Sequence, residues 1–255
     1  MGVVEAVVMD IDGVAVVDNR IIPSAVETIG ELHDAGIVVV PATNRNFRRS
    51  KWLRSALGFR SLGVFSGGAL VADCKEDTIM YEQPIGRDAA RRLIERLLPL
   101  SQYVNFGAGR TPAGEVDPGV IDADCLSLWA EVPVHHLGAA AQIVQSVPGV
   151  QHHPSYDIAD DGMVGINITQ HEVDKFSGTR FALCRLGIAP ENAVAIADGE
   201  PDGPLFDAVG FGIAMGNATE GLKARADAIV GAALDNGFRE GMHQFVLHNI
   251  TERQV

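Results

Sequence analysis

Short apolar runs and amphipathic stretches alternate along the first part of the chain. Residues 3–9, 37–42 and 62–65 are largely apolar, which is typical of buried strands. Between them, residues 23–35 and 46–57 carry apolar side chains at helical spacing, and a glycine follows each stretch. Strands and helices that alternate at this spacing predict a parallel sheet with helices on both faces.

The first helix carries the clearest start signal. Pro23 and Ser24 are followed by Glu27, the arrangement of a capping box. The spacing of Val26, Ile29 and Leu32 then predicts one apolar face for this helix.

The middle of the chain follows a different order. Residues 87–98 and 137–147 predict two helices, and each is followed by two strand-like segments. The order α-β-β-α-β-β favours a separate small α+β unit with an antiparallel sheet. The strand-like segments are residues 103–106, 125–132, 150–156 and 163–168.

The first pattern returns after this insert. Residues 175–186 predict a helix that a glycine ends, and residues 193–197 predict another buried strand. Shorter strands are predicted at 211–214 and 228–230. We therefore predict an α/β fold with a Rossmann-like, doubly wound parallel sheet and a small inserted α+β domain. The sheet domain comprises residues 1–84 and 170–255, and the insert comprises residues 85–169.

Charge and composition narrow the partners. The formal net charge is −13, which argues against nucleic acid or an anionic membrane surface as the main partner. The three cysteines are far apart, which favours a reducing compartment over a disulfide framework. No apolar run is long enough to suggest a membrane span, and the chain begins close to a predicted strand without a basic leader. We therefore expect a cytoplasmic protein; its oligomeric state stays open.

Two carboxylates follow the first predicted strand. Asp10 and Asp12 are two residues apart on an extended segment, so both side chains can face the same side. They would then lie at the carboxyl edge of the sheet, where open α/β sheets bind ligands. Paired carboxylates can divide roles between a nucleophile and a proton carrier. Gly13 lets the chain turn sharply after them.

Polar residues also follow the second strand and the insert. Thr43, Asn44 and Arg45 offer a hydroxyl, backbone amides and a guanidinium to a phosphate group. Lys175 opens a helix, where a cation is unfavourable against the helix dipole, so it is a candidate phosphate ligand. Each feature taken alone is also typical of a solvated surface.

A second acidic loop follows the strand at 193–197. Asp198 and Asp202 would meet Asp10 and Asp12 if the two strands are neighbours. Such an all-oxygen site suits a hard cation, and Mg²⁺ is the natural choice. Mg²⁺ and a lysine can offset the repulsion between a carboxylate nucleophile and a phosphate ester. An acidic loop in an acidic protein is the alternative when the loop is considered alone.

Together these motifs resemble the haloacid dehalogenase superfamily, and within it the Cof-like phosphatases with a type II, subclass B cap. The motif Asp-x-Asp-Gly matches residues 10–13, and the resemblance implies Asp10 as nucleophile and metal ligand. It implies Asp12 as general acid and base, with its backbone carbonyl on the metal. It also implies that Thr43 and Lys175 bind phosphate and that Asp198 and Asp202 serve the metal.

The sequence also departs from the family pattern. Asn44 stands where the family has Gly, and Pro201 stands where the family has Asn in the acidic loop. The stretch 212–218 looks like the segment that follows the acidic loop in the family.

The expected function is a magnesium-dependent phosphomonoester hydrolase that acts on a small phosphorylated metabolite, such as a sugar phosphate or a phosphoglycolate-like compound. A phosphomutase of the same superfamily is one alternative. A protein that binds phosphorylated ligands without catalysis is another.

Overall fold

The computed structural model describes residues 3–106, 111–117, 125–155 and 162–248. The chain divides into two compact units. The core unit comprises Met1–Met80 and Lys175–Val255, and the inserted unit comprises Tyr81–Asp174. The sequence predicts the inserted unit at residues 85–169, so the unit in the structure begins four residues earlier and ends five residues later.

The elements of the core unit come from both ends of the chain. Those before the insert are β1 Ala6–Met9, β2 Val16–Val17, β3 Arg20–Ile21, α1 Pro23–Asp34, β4 Val38–Pro41, α2 Lys51–Leu57, β5 Leu62–Phe65, β6 Leu70–Asp73 and β7 Thr78–Glu82, whose last two residues belong to the inserted unit. The inserted unit contains α3 Arg87–Leu97, β8 Tyr103–Asn105, β9 Thr111–Pro112, β10 Leu128–Pro133, α4 Leu137–Gln145, β11 Val150–Ser155 and β12 Met163–Gln170. The core unit resumes with α5 Lys175–Leu186, β13 Ala193–Ala197, α6 Gly203–Asp207, β14 Phe211–Ala214, α7 Glu220–Lys223, β15 Ala228–Ile229, α8 Gly237–Gly241 and a π-helix Met242–Leu247.

A parallel sheet forms the centre of the core unit. Its strand order is β15-β14-β13-β1-β4, so β1 lies between β13 and β4. Met9 at the end of β1 is in register with Ile196 of β13 and Pro41 of β4. The three strands therefore end at the same edge, which brings the loops that follow them together.

The segment 62–65 forms the predicted strand, but it is not a full member of the parallel sheet. Ala42 and Val64 share one parallel bridge, and the Thr43 amide donates to the Val64 carbonyl at 2.9 Å. Beyond that bridge, β5 pairs with β6 in an antiparallel hairpin. Because a short turn joins β5 to β6, the adjacent segment supplies the hydrogen-bonding partners of β5 and no crossover connection is needed.

Two helices differ in detail from their predictions. The capping box of α1 does not form, because Ile22 is the N-cap and Ser24 donates instead to Asn236 Oδ1 at 2.6 Å. Val26 is only half-buried, and the buried face is Ala25, Thr28, Ile29 and Leu32. Helix α2 begins at Lys51 rather than near residue 46, since the Asn46 side chain accepts from the Arg49 amide and holds a turn there.

The inserted unit has its own sheet and its own core. The order β11-β12-β10-β8-β9 is antiparallel throughout, and α3 packs with α4. Apolar residues of both helices and of the sheet are buried together, among them Leu93, Val144 and Ile166. The predicted α/β class with an additional sheet-containing unit is confirmed. Tyr156, at the end of one predicted strand, lies outside the described residues.

No helix within the described ranges is both long and apolar enough to cross a membrane.

A glycine in α5 allows a close contact with the β5 hairpin. A Cβ added at Gly178 would lie 2.6 Å from Val64 Cγ1 and 3.0 Å from the Gly68 Cα. We expect Gly178→Ala to lower the free energy of unfolding by about 1–3 kcal/mol, because the helix must shift to admit the methyl group. Urea denaturation measures this change.

Gly30 in α1 is the matched control, because an added Cβ there meets no atom within 4 Å. Alanine has the better helix propensity, so Gly30→Ala should be neutral or stabilising by up to about 1 kcal/mol. Equal effects of the two substitutions would contradict the packing of α5 described above.

Candidate active site

The loops that follow β1, β4 and β13 meet at one edge of the parallel sheet. Asp10 follows β1, Thr43 follows β4, and Asp198 follows β13. The Asp10 amide donates to the Ile196 carbonyl at 3.0 Å, which extends the strand pairing up to the site. This arrangement brings Asp10 and Asp198 together, although they are far apart in the sequence.

Lys175 lies between two carboxylates. Its side chain is only 3% exposed, and its Nζ donates to Asp10 Oδ1 at 2.8 Å and to Asp202 Oδ1 at 2.5 Å. The other oxygen of Asp202 accepts from the Gly199 amide at 3.1 Å. The lysine that opens α5 is therefore a buried part of this cluster and not a surface residue.

The electrostatics of the cluster favour a bound cation. Burial, together with the neighbouring Asp202 carboxylate, raises the pKa of Asp10 to about 7 even though Lys175 opposes the shift. Burial alone would lower the pKa of Lys175, but the carboxylates of Asp10 and Asp202 outweigh it and raise this pKa. Three carboxylates, those of Asp10, Asp198 and Asp202, are grouped around this one lysine, so its single positive charge does not balance theirs.

Three carboxylates of the cluster are placed to share a metal ion. Asp10, Asp198 and Asp202 each offer an oxygen atom, and these atoms lie within 4.8 Å of one another. Oxygen donors of this kind are the ligands that Mg²⁺ prefers. Among the described residues, the oxygen atoms of Asp10, Asp198 and Asp202 therefore form a set of ligands that suits Mg²⁺.

Asp12 has different surroundings from Asp10. Its side chain is 52% exposed and is not among the three grouped carboxylates. Arg45 holds it with two hydrogen bonds, from Nε to Oδ2 at 2.8 Å and from Nη2 to Oδ1 at 2.6 Å. This hydrogen bonding raises the pKa of Arg45. The sequence had suggested Arg45 as a phosphate ligand, whereas the structure places its guanidinium on Asp12.

The Thr43–Arg45 loop is shaped by its own hydrogen bonds. Thr43 is 1% exposed, and its Oγ1 accepts from the Arg45 amide at 3.1 Å. This bond tightens the turn that directs Arg45 toward Asp12. The Asn44 side chain, which replaces the family's glycine, is exposed.

Two further residues shape the site. Gly13 has φ +71°, and a Cβ added to it would overlap the carboxylate of Asp198. Asn217 donates from Nδ2 to the Gly13 carbonyl and to Asp198 Oδ2, both at 3.0 Å. Sequence reasoning gave Gly13 only the role of a turn and gave Asn217 none. The available signal was the position of Asn217 within the family-like stretch 212–218.

Comparison with known proteins identifies the family of the chain. The chain matches the haloacid dehalogenase-like hydrolase family over residues 7–110 and 138–242. It is 30% identical to a phosphoglycolate phosphatase of Methanopyrus kandleri over 244 residues, which is 94% of each protein. The chain therefore belongs to the haloacid dehalogenase-like hydrolase family, and its predicted class, a phosphatase of that family, is confirmed.

Solved structures show the same fold. A haloacid dehalogenase-like hydrolase from B. subtilis superposes with a TM-score of 0.80 at 18% identity, covering 95% of this chain and 100% of that one. A sugar phosphatase of subclass IIB superposes with a TM-score of 0.74 at 17% identity, covering 94% of this chain and 98% of that one. The predicted resemblance to the haloacid dehalogenase superfamily is confirmed by the family match, and these two structures share the fold.

The Arg45–Asp12 contact leads to a kinetic prediction. Arg45→Lys keeps the positive charge but loses the paired geometry, so Asp12 is held less well. We expect kcat to fall by roughly 10- to 100-fold, with a smaller change in KM. Steady-state kinetics on a model phosphate ester measure both constants.

Arg225→Lys is the matched control, because Arg225 forms a 2.7 Å ion pair with Asp207 in the same unit. Its kinetics should be close to wild type. If Arg45→Lys instead raised KM at unchanged kcat, Arg45 would act on the bound phosphate and not through Asp12.

Proposed function

We propose that this protein hydrolyses a small phosphomonoester through a covalent intermediate on Asp10, with Mg²⁺ as its cofactor. The observation that carries the proposal is the buried cluster in which Lys175 bridges Asp10 and Asp202 beside Asp198. It combines a carboxylate nucleophile, a fixed cation and an oxygen-donor set in one place. These are the groups that phosphoryl transfer to a carboxylate requires.

The contrast between the two motif carboxylates supports a division of labour. Asp10 is buried against Lys175, so its carboxylate is fixed for attack on phosphorus. Asp12 is half-exposed, so a leaving group can reach it, and Arg45 holds its carboxylate in place. In the first step, an Asp10 oxygen bonds to phosphorus, the ester P–O bond breaks, and Asp12 gives a proton to the departing alcohol. In the second, Asp12 takes a proton from water, which attacks phosphorus and frees Asp10.

The remaining polar groups hold the phosphate and the metal. We assign phosphate contacts to Thr43, Lys175 and the Asn44–Arg45 backbone. Asp10 and Asp198 would hold Mg²⁺ directly, with Asp202 beside them and Asp12 contributing through its backbone carbonyl. The bound ion would offset the negative charge of the phosphate and of the nucleophile.

The substrate and its selection are part of the same proposal. A relative named phosphoglycolate phosphatase supports a small phosphorylated metabolite, either phosphoglycolate-like or a sugar phosphate. We assign the choice of substrate to the inserted unit, because the core groups above address only the phosphate. Cys74, Cys125 and Cys184 are all free thiols, which supports a cytoplasmic location.

The nucleophile can be tested by substitution. Asp10→Asn removes the attacking oxygen, so turnover should fall by at least about 10³-fold. The thermal midpoint should stay close to that of wild type, because Lys175 keeps Asp202 and because ionised Asp10 is disfavoured by burial. Phosphate release and thermal unfolding are measured on the same preparation.

Asp34→Asn makes the same chemical change at an exposed position at the end of α1. This control should retain full activity. Substantial turnover by a pure Asp10→Asn preparation would rule out the covalent route.

The cofactor can be tested by exchange. Chelation should abolish activity, and Mg²⁺ should restore it. Ca²⁺ should bind yet support poor turnover, because its larger and looser coordination shell misplaces the reacting oxygens. Full activity in excess chelator, checked by metal analysis of the protein, would contradict the role of the metal.

A further inference from the structure

Asn217 connects three loops around the carboxylate cluster. Its Nδ2 donates to the Gly13 carbonyl and to Asp198 Oδ2, each at 3.0 Å. Its Oδ1 accepts from the Ala233 amide at 2.8 Å. An asparagine has both a donor and an acceptor at its tip, so these bonds fix which end of the amide faces the carboxylate.

Neighbouring backbone contacts hold Asn217 in place. The Gly216 amide donates to the Gly231 carbonyl at 3.0 Å, and a Cβ at Gly216 would lie 2.7 Å from the Ala232 nitrogen. The strand end before Asn217 is thus pressed against the segment that supplies the Ala233 amide. The Thr219 amide also donates to the Asp198 carbonyl at 3.0 Å, so the same turn grips Asp198 through its backbone.

The hydrogen bonds of Asn217 act where Gly13 and Asp198 approach each other closely. Only a glycine fits at position 13, because the Asp198 carboxylate occupies the space that a Cβ would take. One amide group of Asn217 bonds to both of them, so it fixes the spacing between the loop that carries Asp10 and Asp12 and the loop that carries Asp198. Pro201, which lies between Asp198 and Asp202 in the acidic loop, can donate no hydrogen bond.

We propose that Asn217 is a positioning residue for Mg²⁺ binding, which orients Asp198 and locks its loop to Gly13. This inference rests on the proposed magnesium dependence. Residues that orient a metal ligand through hydrogen bonds commonly change metal affinity by about 10- to 100-fold. Because Asn217 is exposed, its removal should disturb the fold little, and the effect should appear mainly in metal binding.

The test is the Mg²⁺ affinity of the full-length protein, measured by isothermal titration calorimetry without substrate. Asn217→Ala and the similarly shaped Asn217→Leu should each raise the Mg²⁺ Kd by about tenfold or more. They should also raise the Mg²⁺ concentration for half-maximal rate, while kcat at saturating Mg²⁺ stays near wild type. A general loosening of the fold would lower kcat at every Mg²⁺ concentration.

Asn192→Ala is the matched control. Asn192 also donates its Nδ2 to a carboxylate, that of Glu5 at 2.7 Å. These two residues directly precede β13 and β1, so their contact lies at the edge of the sheet opposite the site. Its loss should leave the Mg²⁺ Kd unchanged. An unchanged Kd in both Asn217 variants, or an equal rise in the control, would overturn the positioning role. A wild-type protein that binds no Mg²⁺ would instead overturn the proposed cofactor.

Discussion

The ion pairs of Lys175 are the interaction on which the site depends. A fully buried ammonium group is costly unless it is paired, and here two carboxylates share it. Loss of Lys175 would leave two buried carboxylates without their cation, and an uncompensated buried charge of this kind commonly costs about 3–5 kcal/mol. Lys175 holds the carboxylate of Asp10, which is the nucleophile in the proposed mechanism, and Asp202 holds Lys175. Asp10 and Asp202 share one lysine and Asp198 lies beside them, so the cluster holds more carboxylates than cations, an imbalance that a divalent cation would relieve.

The parallel sheet makes this pairing possible. With β1 between β13 and β4 in aligned register, residues far apart in sequence emerge at one edge. Lys175 is the first residue after the inserted unit and the first residue of α5. Close approaches complete the arrangement, since Gly13 admits the Asp198 carboxylate and Gly178 admits the β5 hairpin. Asp10 and Asp198 therefore directly follow strands of the central sheet, and Lys175 is the first residue of a helix.

The sequence predicted the parts of this structure that periodicity and position control. The strand at 193–197 and the helix at 175–186 appear with the predicted bounds, and Asp10, Asp198, Asp202 and Lys175 do gather at one place. It could not show which polar group pairs with which. Arg45 turned to Asp12 because a local bond to Thr43 shapes its loop, and Ser24 bonded to Asn236 instead of forming a capping box. Asn217 was missed because its partners are a backbone carbonyl and a side chain from loops distant in sequence.

The most direct test of this account is chemical trapping of the intermediate. Enzyme with Mg²⁺ is mixed with a ³²P-labelled phosphomonoester and quenched in acid within one turnover. The account expects protein-bound label that maps, after digestion, to the peptide containing Asp10 and is absent from the Asp10→Asn protein. Rapid release of labelled phosphate with no protein-bound label at any time, or label on a peptide without Asp10, would contradict it.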